Sequence, residues 1–286
     1  MRLRTYRALT FVALLSILGS WPADAPAQKT VVAGEIKATY RVDLSAINLG
    51  EFNLTANLNG SAYEMRAKGN FSLLAGMLYR ASGKTASKGR LAKEGPQPAK
   101  FIVSFESGDK KEARELTFAG GAVSKVLLVP RKDKVRRRQV PVTKEQLRNV
   151  LDPLTAAFLY ARDDGPGGES KVCDRTVPVF DGKQRFDIVL KPKRTEPLGG
   201  DAPANLVGSV AVCQVKYVPI AGYRPDHPGV KYVMENEDIE VWLVRLPETS
   251  LYLPYRILMP TAWGTGSATL TEVTRRAGGA SASNGG

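Results

Sequence analysis

The sequence predicts an all-β, antiparallel fold of the barrel, roll or sandwich type with one short helical insertion. Three observations predict it. Apolar and polar residues alternate with a period of two over several segments. Tight-turn dipeptides separate those segments at short, regular intervals. One stretch alone, after residue 142, changes to the spacing of a helix.

The chain opens with a different kind of segment. Residues 1–27 hold a basic start (Arg2, Arg4, Arg7), an apolar run over 8–18, and Ala25-Pro26-Ala27, the small-x-small pattern of a cleavable export signal. The apolar run is about half of the roughly 20 residues that a permanent spanning helix needs. Cleavage after Ala27 is therefore expected, and with it a periplasmic location. It removes three Arg and one Asp, so Lys+Arg falls from 41 to 38, Asp+Glu from 28 to 27, and a charge of +11 remains. The body that follows is expected to be one β-rich domain over 28–276.

Its first segment alternates Ile36, Ala38, Tyr40, Val42 and Leu44 against Lys37, Thr39, Arg41 and Asp43, the pattern of a half-buried strand. Phe52, Leu54, Ala56 and Leu58 repeat it and run into Asn59-Gly60, a strong hairpin signal. A returning strand is expected over 61–68. Further strands are expected over 99–107, 112–118 and 122–129, the last two divided by Gly120-Gly121. Thr143 is placed as the cap of a short helix through Val150. Asp152-Pro153 then supplies an N-cap and a proline at the first helical position for a second one ending near Arg162, with Leu154, Ala157, Phe158 and Ala161 on one face. Residues 163–169 and 192–204 read as loops. Past Asp181-Gly182, Phe186, Ile188 and Leu190 alternate again, and later strands are expected over 209–218, 238–245, 250–259 and 264–273. The tail 277–286 holds only Ala, Gly, Ser and Asn and is expected to be disordered.

Two cysteines, Cys173 and Cys213, are expected to pair in an oxidising compartment. With a single histidine, His227, they fall short of a four-ligand zinc set, and there is no Cys-x-x-Cys redox motif, so no metal or cofactor is expected. His227 sits between prolines in a loop, and no Gly-x-Ser-x-Gly elbow accompanies it, so no catalytic residue is assigned.

The residues Tyr40 to Gly50, Leu151-Asp152-Pro153-Leu154-Thr155-Ala156, CDRTVPVFDGKQRFDIVL from Cys173 to Leu190, and Ala211-Val212-Cys213 with Tyr217 to Gly222 resemble an exported bacterial family called domain of unknown function 3108. The resemblance extends over most of the chain. It implies a Gram-negative envelope protein built on a single rolled β-sheet or barrel-like β-roll, with Asp181-Gly182 as a turn and Cys173 joined to Cys213. It implies no activity.

Four groups of residues remain as candidates for function. Arg131, Lys132, Lys134, Arg136, Arg137 and Arg138 form the densest charge, suited to lipopolysaccharide phosphates or an anionic membrane surface, and export removes nucleic acid from consideration. Trp242, Tyr252, Tyr255 and Trp263 could line an apolar cavity or stack on sugars. Glu235, Glu237, Asp238 and Glu240 could furnish a carboxylate pair for hydrolysing an envelope polysaccharide, with Glu235 and Glu237 on one strand face and the other two opposite. Finally, a curved sheet can itself enclose a ligand. The reading is a non-catalytic protein that binds a lipid-like or glycan ligand or an assembly partner, with the carboxylate hydrolase as the alternative.

Overall fold

The computed structural model describes residues 34–73, 79–92, 94–130, 138–158, 171–247, 249 and 251–277. The export signal, the residues from Arg131 to Arg137, the expected loop 163–169 and the tail beyond Ala277 lie outside them.

Thirteen strands join one antiparallel sheet. They are β1 Gly34–Leu44, β2 Ile47–Asn59, β3 Ala62–Leu73, β4 Tyr79–Ala92, β5 Gly95–Ser107, β6 Lys110–Ala119, β7 Ala122–Val129, β8 Arg175–Phe180, β9 Arg185–Pro197, β10 Ser209–Ala221, β11 Glu240–Arg245, β12 Tyr252–Thr261 and β13 Gly264–Ala277. Their order is β7-β6-β5-β4-β3-β2-β1-β13-β12-β11-β10-β9-β8. Strands consecutive in sequence thus pair with one another, except β7 and β8, which form the two edges, and the pairing of β1 with β13 joins the first strand to the last. Among the described residues two helices have full bounds, α1 Pro153–Phe158 and α2 Pro228–Glu235.

The alternation works as expected on β1. Ile36, Ala38 and Tyr40 are buried, and they join Leu54, Ala56 and Leu58 of β2 with Tyr63, Met65 and Ala67 of β3 in one core. The same core takes Phe101 from β5, Leu116 from β6 and Val210 and Val212 from β10, so the sheet is rolled around it. A second, smaller core lies on the opposite face of β10 to β12, where Ala211, Cys213, Val215, Leu243 and Tyr252 meet Val172 and Cys173.

The two edge strands do not pair with each other. An odd number of strands, each antiparallel to the next, leaves β7 and β8 running the same way, so no antiparallel ladder can close the roll. A strap over 148–151 spans the seam instead. Asn149 N–H donates to Gly121 C=O (2.7 Å), Leu151 N–H to Pro178 C=O (2.9 Å), and Phe180 N–H to Leu151 C=O (2.9 Å). The ion pair Arg114–Asp181 (2.8 Å) and the Lys183–Glu112 contact cross the same seam from β6 to the β8–β9 turn.

Several local expectations need correction. The helix expected from Thr143 to Val150 is only a 3₁₀ turn, Glu145–Leu147. Arg148 is already extended and Asn149 has φ +53, because this stretch must turn outward to form the strap. The loop expected over 192–204 is strand as far as Pro197, since Pro192 lies at a bulge opposite Val212 and Cys213, where a missing N–H costs no ladder bond. Strands β4 and β8 had no clean alternation to announce them, and Ala277 belongs to β13 rather than to the tail.

Candidate apolar ligand-binding site

Register builds a recess into the inner wall. Phe52, Gly69, Gly83 and Phe105 face one another across β2, β3, β4 and β5; the ring of Phe71 covers Gly69, where a Cβ would fall 2.6 Å from it, so of the two glycines Gly83 is the one left uncovered. The next row, Leu54, Ala67, Thr85, Val103 and Arg114, has small residues at its centre. Helix α1 lies over the recess and borders an open pocket of about 340 Å³ lined by Phe52, Thr85, Phe101, Val103, Arg114, Pro153, Leu154, Ala157, Phe158 and Asp181. That size lies within the range of small-molecule sites. A larger hollow of about 520 Å³, lined by Asn70, Phe71, Ser72, Arg80, Ala81, Ser82, Glu106 and Gly108, sits at the ends of β3 to β5 and lacks the apolar lining.

Helix α1 is held over the pocket by polar contacts at its first turn. Asp152 is fully buried, and its Oδ1 accepts Leu154 N–H (3.1 Å) and Thr155 N–H (3.0 Å), the N-cap read from the sequence. Its Oδ2 accepts the hydroxyls of Thr155 (2.7 Å) and Ser87 (2.8 Å), and Tyr63 Oη lies 3.0 Å from Thr155 Oγ1. Burial pushes the Asp152 carboxyl above its ordinary range, although these hydrogen bonds oppose the shift. Farther along the helix, Phe158 stacks on Phe52 at 6.2 Å and meets Tyr40 edge-on at 5.8 Å.

The mouth is polar. Arg114 Nη1 donates to Asp181 Oδ2 (2.8 Å) and to its carbonyl (3.2 Å), while Asp181 Oδ1 accepts Lys183 N–H (2.8 Å) and Gln184 N–H (2.7 Å). This is the Asp181-Gly182 turn foreseen in the sequence, with Gly182 at φ +92 against the Arg114 side chain. Arg114 Nε is buried and has no acceptor among the described residues.

The structure joins Cys173 to Cys213, across a Cα separation of 5.2 Å and 40 residues of chain. Tyr252 and Tyr255 are buried within the sheet, Tyr255 donating to Asp201 Oδ1 (3.1 Å). Trp242 is partly buried, with the guanidinium carbons of Arg194 and Arg256 at 5.3 and 5.2 Å from its ring centre. Trp263 stands exposed at the β12–β13 turn. None of these four aromatics lines the pocket. Of the basic run, Arg138 is the described member; it is exposed, with Nη1 3.6 Å from Asp226.

The acidic cluster does not share a strand. Glu235 ends α2, Glu237 and Asp238 are exposed in the link that follows, and only Glu240 belongs to β11. Helix α2 was missed because Pro225 and Pro228 read as loop, yet Pro228 serves as a first-turn proline with His227 before it. Glu240 binds Arg194 (2.9 and 3.2 Å), Lys193 (2.7 Å) and Trp242 Nε1 (2.8 Å). Arg194 first, then Lys193 and Trp242, hold its carboxyl down at about 2. A general acid needs the opposite shift. A depressed carboxylate stabilises the fold above its unfolded-state range and loses that contribution as pH falls through about 2. The expected result is that Glu240→Gln removes this acid-dependent part of the stability, measured as the difference between denaturation midpoints of the two proteins along an acid series.

Pocket-lining residues such as Val103 and Ala157 carry no motif of their own. The signal that could have found the pocket is the row Leu54, Ala67, Thr85 and Val103, small at its centre, and it becomes visible only when the register of β2 to β5 is known.

No curated protein matches the chain. Among solved structures, it is similar to a β-barrel-like protein of the domain of unknown function DUF1849 from Brucella abortus, with a TM-score of 0.47, 9% identity, and an alignment covering 86% of this chain and 99% of that one. The family model described as Protein of unknown function (DUF3108) matches residues 39–271, and the chain belongs to that family.

Proposed function

We propose that this is an exported, non-catalytic binding protein of the bacterial envelope, and that the pocket under α1 holds the apolar part of a lipid-like ligand. The observation that carries the reading is a pocket walled by Phe52, Phe101, Val103, Leu154, Ala157 and Phe158 with a polar group, Arg114, at its mouth. An apolar chain released from water gains about 25 cal/mol for each Å² it buries there. The Arg114–Asp181 pair makes the mouth polar, so an amphiphile fits better than a neutral hydrocarbon. A glycan fits less well, because the pocket has no indole and no phenol on which a sugar ring could stack. The paired Cys173 and Cys213 accord with an oxidising compartment, and the basic charge of the chain accords with work beside anionic lipid or lipopolysaccharide.

Filling the pocket tests this. Ala157→Trp and, from the opposite wall, Thr85→Trp are expected to abolish lipid recovered by mass spectrometry from the purified protein. They are also expected to weaken binding of a fluorescent fatty acid at least about tenfold, in line with the apolar area lost. Circular dichroism of both variants is expected to match the parent. Undiminished binding in two folded, filled variants would reject the pocket as the site.

A further inference from the structure

Two hairpin tips stand side by side at the rim of the roll. Ser45 N–H, in the β1–β2 turn, donates to Thr265 C=O beside the β12–β13 turn (2.7 Å). Gly264, at φ +119, permits this approach, since a Cβ there would fall 2.1 Å from Ser45 Oγ. The second tip is braced from within: Thr261 Oγ1 accepts Trp263 N–H (3.2 Å) and donates to Gly264 C=O (2.7 Å). The two turns therefore form one stiff edge.

That edge is apolar. Trp263 is 83% exposed, Ile47 50% and Met259 43%. In a chain that is 24% charged, no Asp, Glu, Lys or Arg occurs over residues 44–50 or over residues 257–271. Just inside the rim, Val42, Leu44 and Ile257 are half-buried and continue the apolar character toward the core.

We infer that this rim docks on an anionic phospholipid bilayer, with the Trp263 indole seated at the level of the head groups. An indole has an apolar body and a polar N–H, which suits it to that depth. Tips free of charge enter the interface without the cost of desolvating an ion. The net charge of +11 that remains after removal of residues 1–27 (38 Lys+Arg against 27 Asp+Glu) draws the protein to an anionic surface. A protein partner fits the geometry worse, because stable protein interfaces use roughly 20 to 30 residues a side, and three exposed apolar side chains on two turns fall far short. This inference is independent of the pocket and holds whether or not the pocket takes a ligand.

Flotation with vesicles of phosphatidylethanolamine and phosphatidylglycerol tests it, using the protein as recovered from cells. The parent is expected to float with the vesicles, and Trp263→Ser to lower the partition coefficient about tenfold, as the loss of one buried indole predicts. Ile47→Ser in addition lowers it further. A second measurement locates the contact: with brominated acyl chains in the vesicles, tryptophan fluorescence is quenched in the parent and in Trp242→Phe, and the vesicle-dependent component is lost in Trp263→Ser. Trp263 and Ile47 are exposed, so these variants fold. Flotation of Trp263→Ser equal to that of the parent, or quenching that survives in it, overturns the proposal. The pocket variants keep the two readings apart: Ala157→Trp is expected to float normally while losing its lipid, and Trp263→Ser to keep its lipid while failing to float. Loss of flotation in Ala157→Trp would mean that the bilayer contact runs through the pocket, and would overturn the rim as the contact.

Discussion

Replacing Cys173 and Cys213 together by serine is expected to lower the free energy of unfolding by about 3 to 4 kcal/mol, the chain-entropy cost of releasing a loop of this length. The effect is large because of what the bridge joins. Cys213 lies on β10, in the middle of the small outer core, while Cys173 precedes β8, the edge strand of that half of the sheet. Without the bridge, β8 keeps its pairing with β9, but Val172 and the segment leading to β8 lose their tie to Leu190, Val215, Leu243 and Tyr252. Denaturant unfolding with and without reductant measures this. The midpoint is expected to fall in reductant for the parent and to be indifferent to reductant in the serine variant. The denaturant slope is expected to rise as the unfolded chain expands. A midpoint that reductant leaves unchanged in the parent would show that the bridge contributes nothing to stability.

Asp152→Ala is the second large effect, with an expected loss of about 3 kcal/mol from the missing cap and the buried hydroxyls left without an acceptor. Ser87 and Thr155 both donate to this carboxylate, which links the first turn of α1 to β4 and sits beside the Tyr63–Thr155 contact. The pocket should be lost along with the helix, so fatty-acid binding is expected to fail in parallel. Asp152→Asn has a different outcome. Its amide oxygen still caps Leu154 and Thr155, its NH₂ can donate to the hydroxyl oxygens, and no charge is buried. Burial raises the carboxyl of Asp152 in the folded state, so its stabilising contribution is complete below the unfolded-state range and is lost as pH rises through the folded value. The asparagine variant escapes that loss. Its stability relative to the parent is therefore expected to increase from acid toward neutral pH in a urea titration series, and a difference independent of pH would contradict the assignment.

The strands that were readable from sequence are those with one wet and one dry face, such as β1 and β2, where period-two alternation is forced by burial. β4 was not readable, because its inward positions are filled by Gly83, Thr85, Ser87 and Gly89, which look polar or blank in sequence but face the core. The Asp152-Pro153 helix start was legible through cap chemistry, and Asp181-Gly182 through turn chemistry, since both act locally. The 148–151 strap depends on the meeting of two edges distant in the chain, which no local pattern reports. The pocket was illegible for a related reason: its lining comes from β2, β4, β5, β6 and α1, which only the sheet register brings together. The exposed Trp263 was legible as a residue but not as a position, because its neighbour across the rim, Ile47, is brought there only by the pairing of the first strand with the last.

A sheet that closes through its own ladder has a bore fixed by whole numbers, the count of strands and the stagger between first and last. Here the final junction is three backbone hydrogen bonds from four residues, reinforced by side-chain ion pairs. Such a junction obeys no integer rule. The girth of the chamber is set by the contour of residues 148–151 and by the reach of Arg114 and Lys183. Lengthening or shortening that short stretch resizes the vessel without disturbing any of the twelve ladders that make its wall.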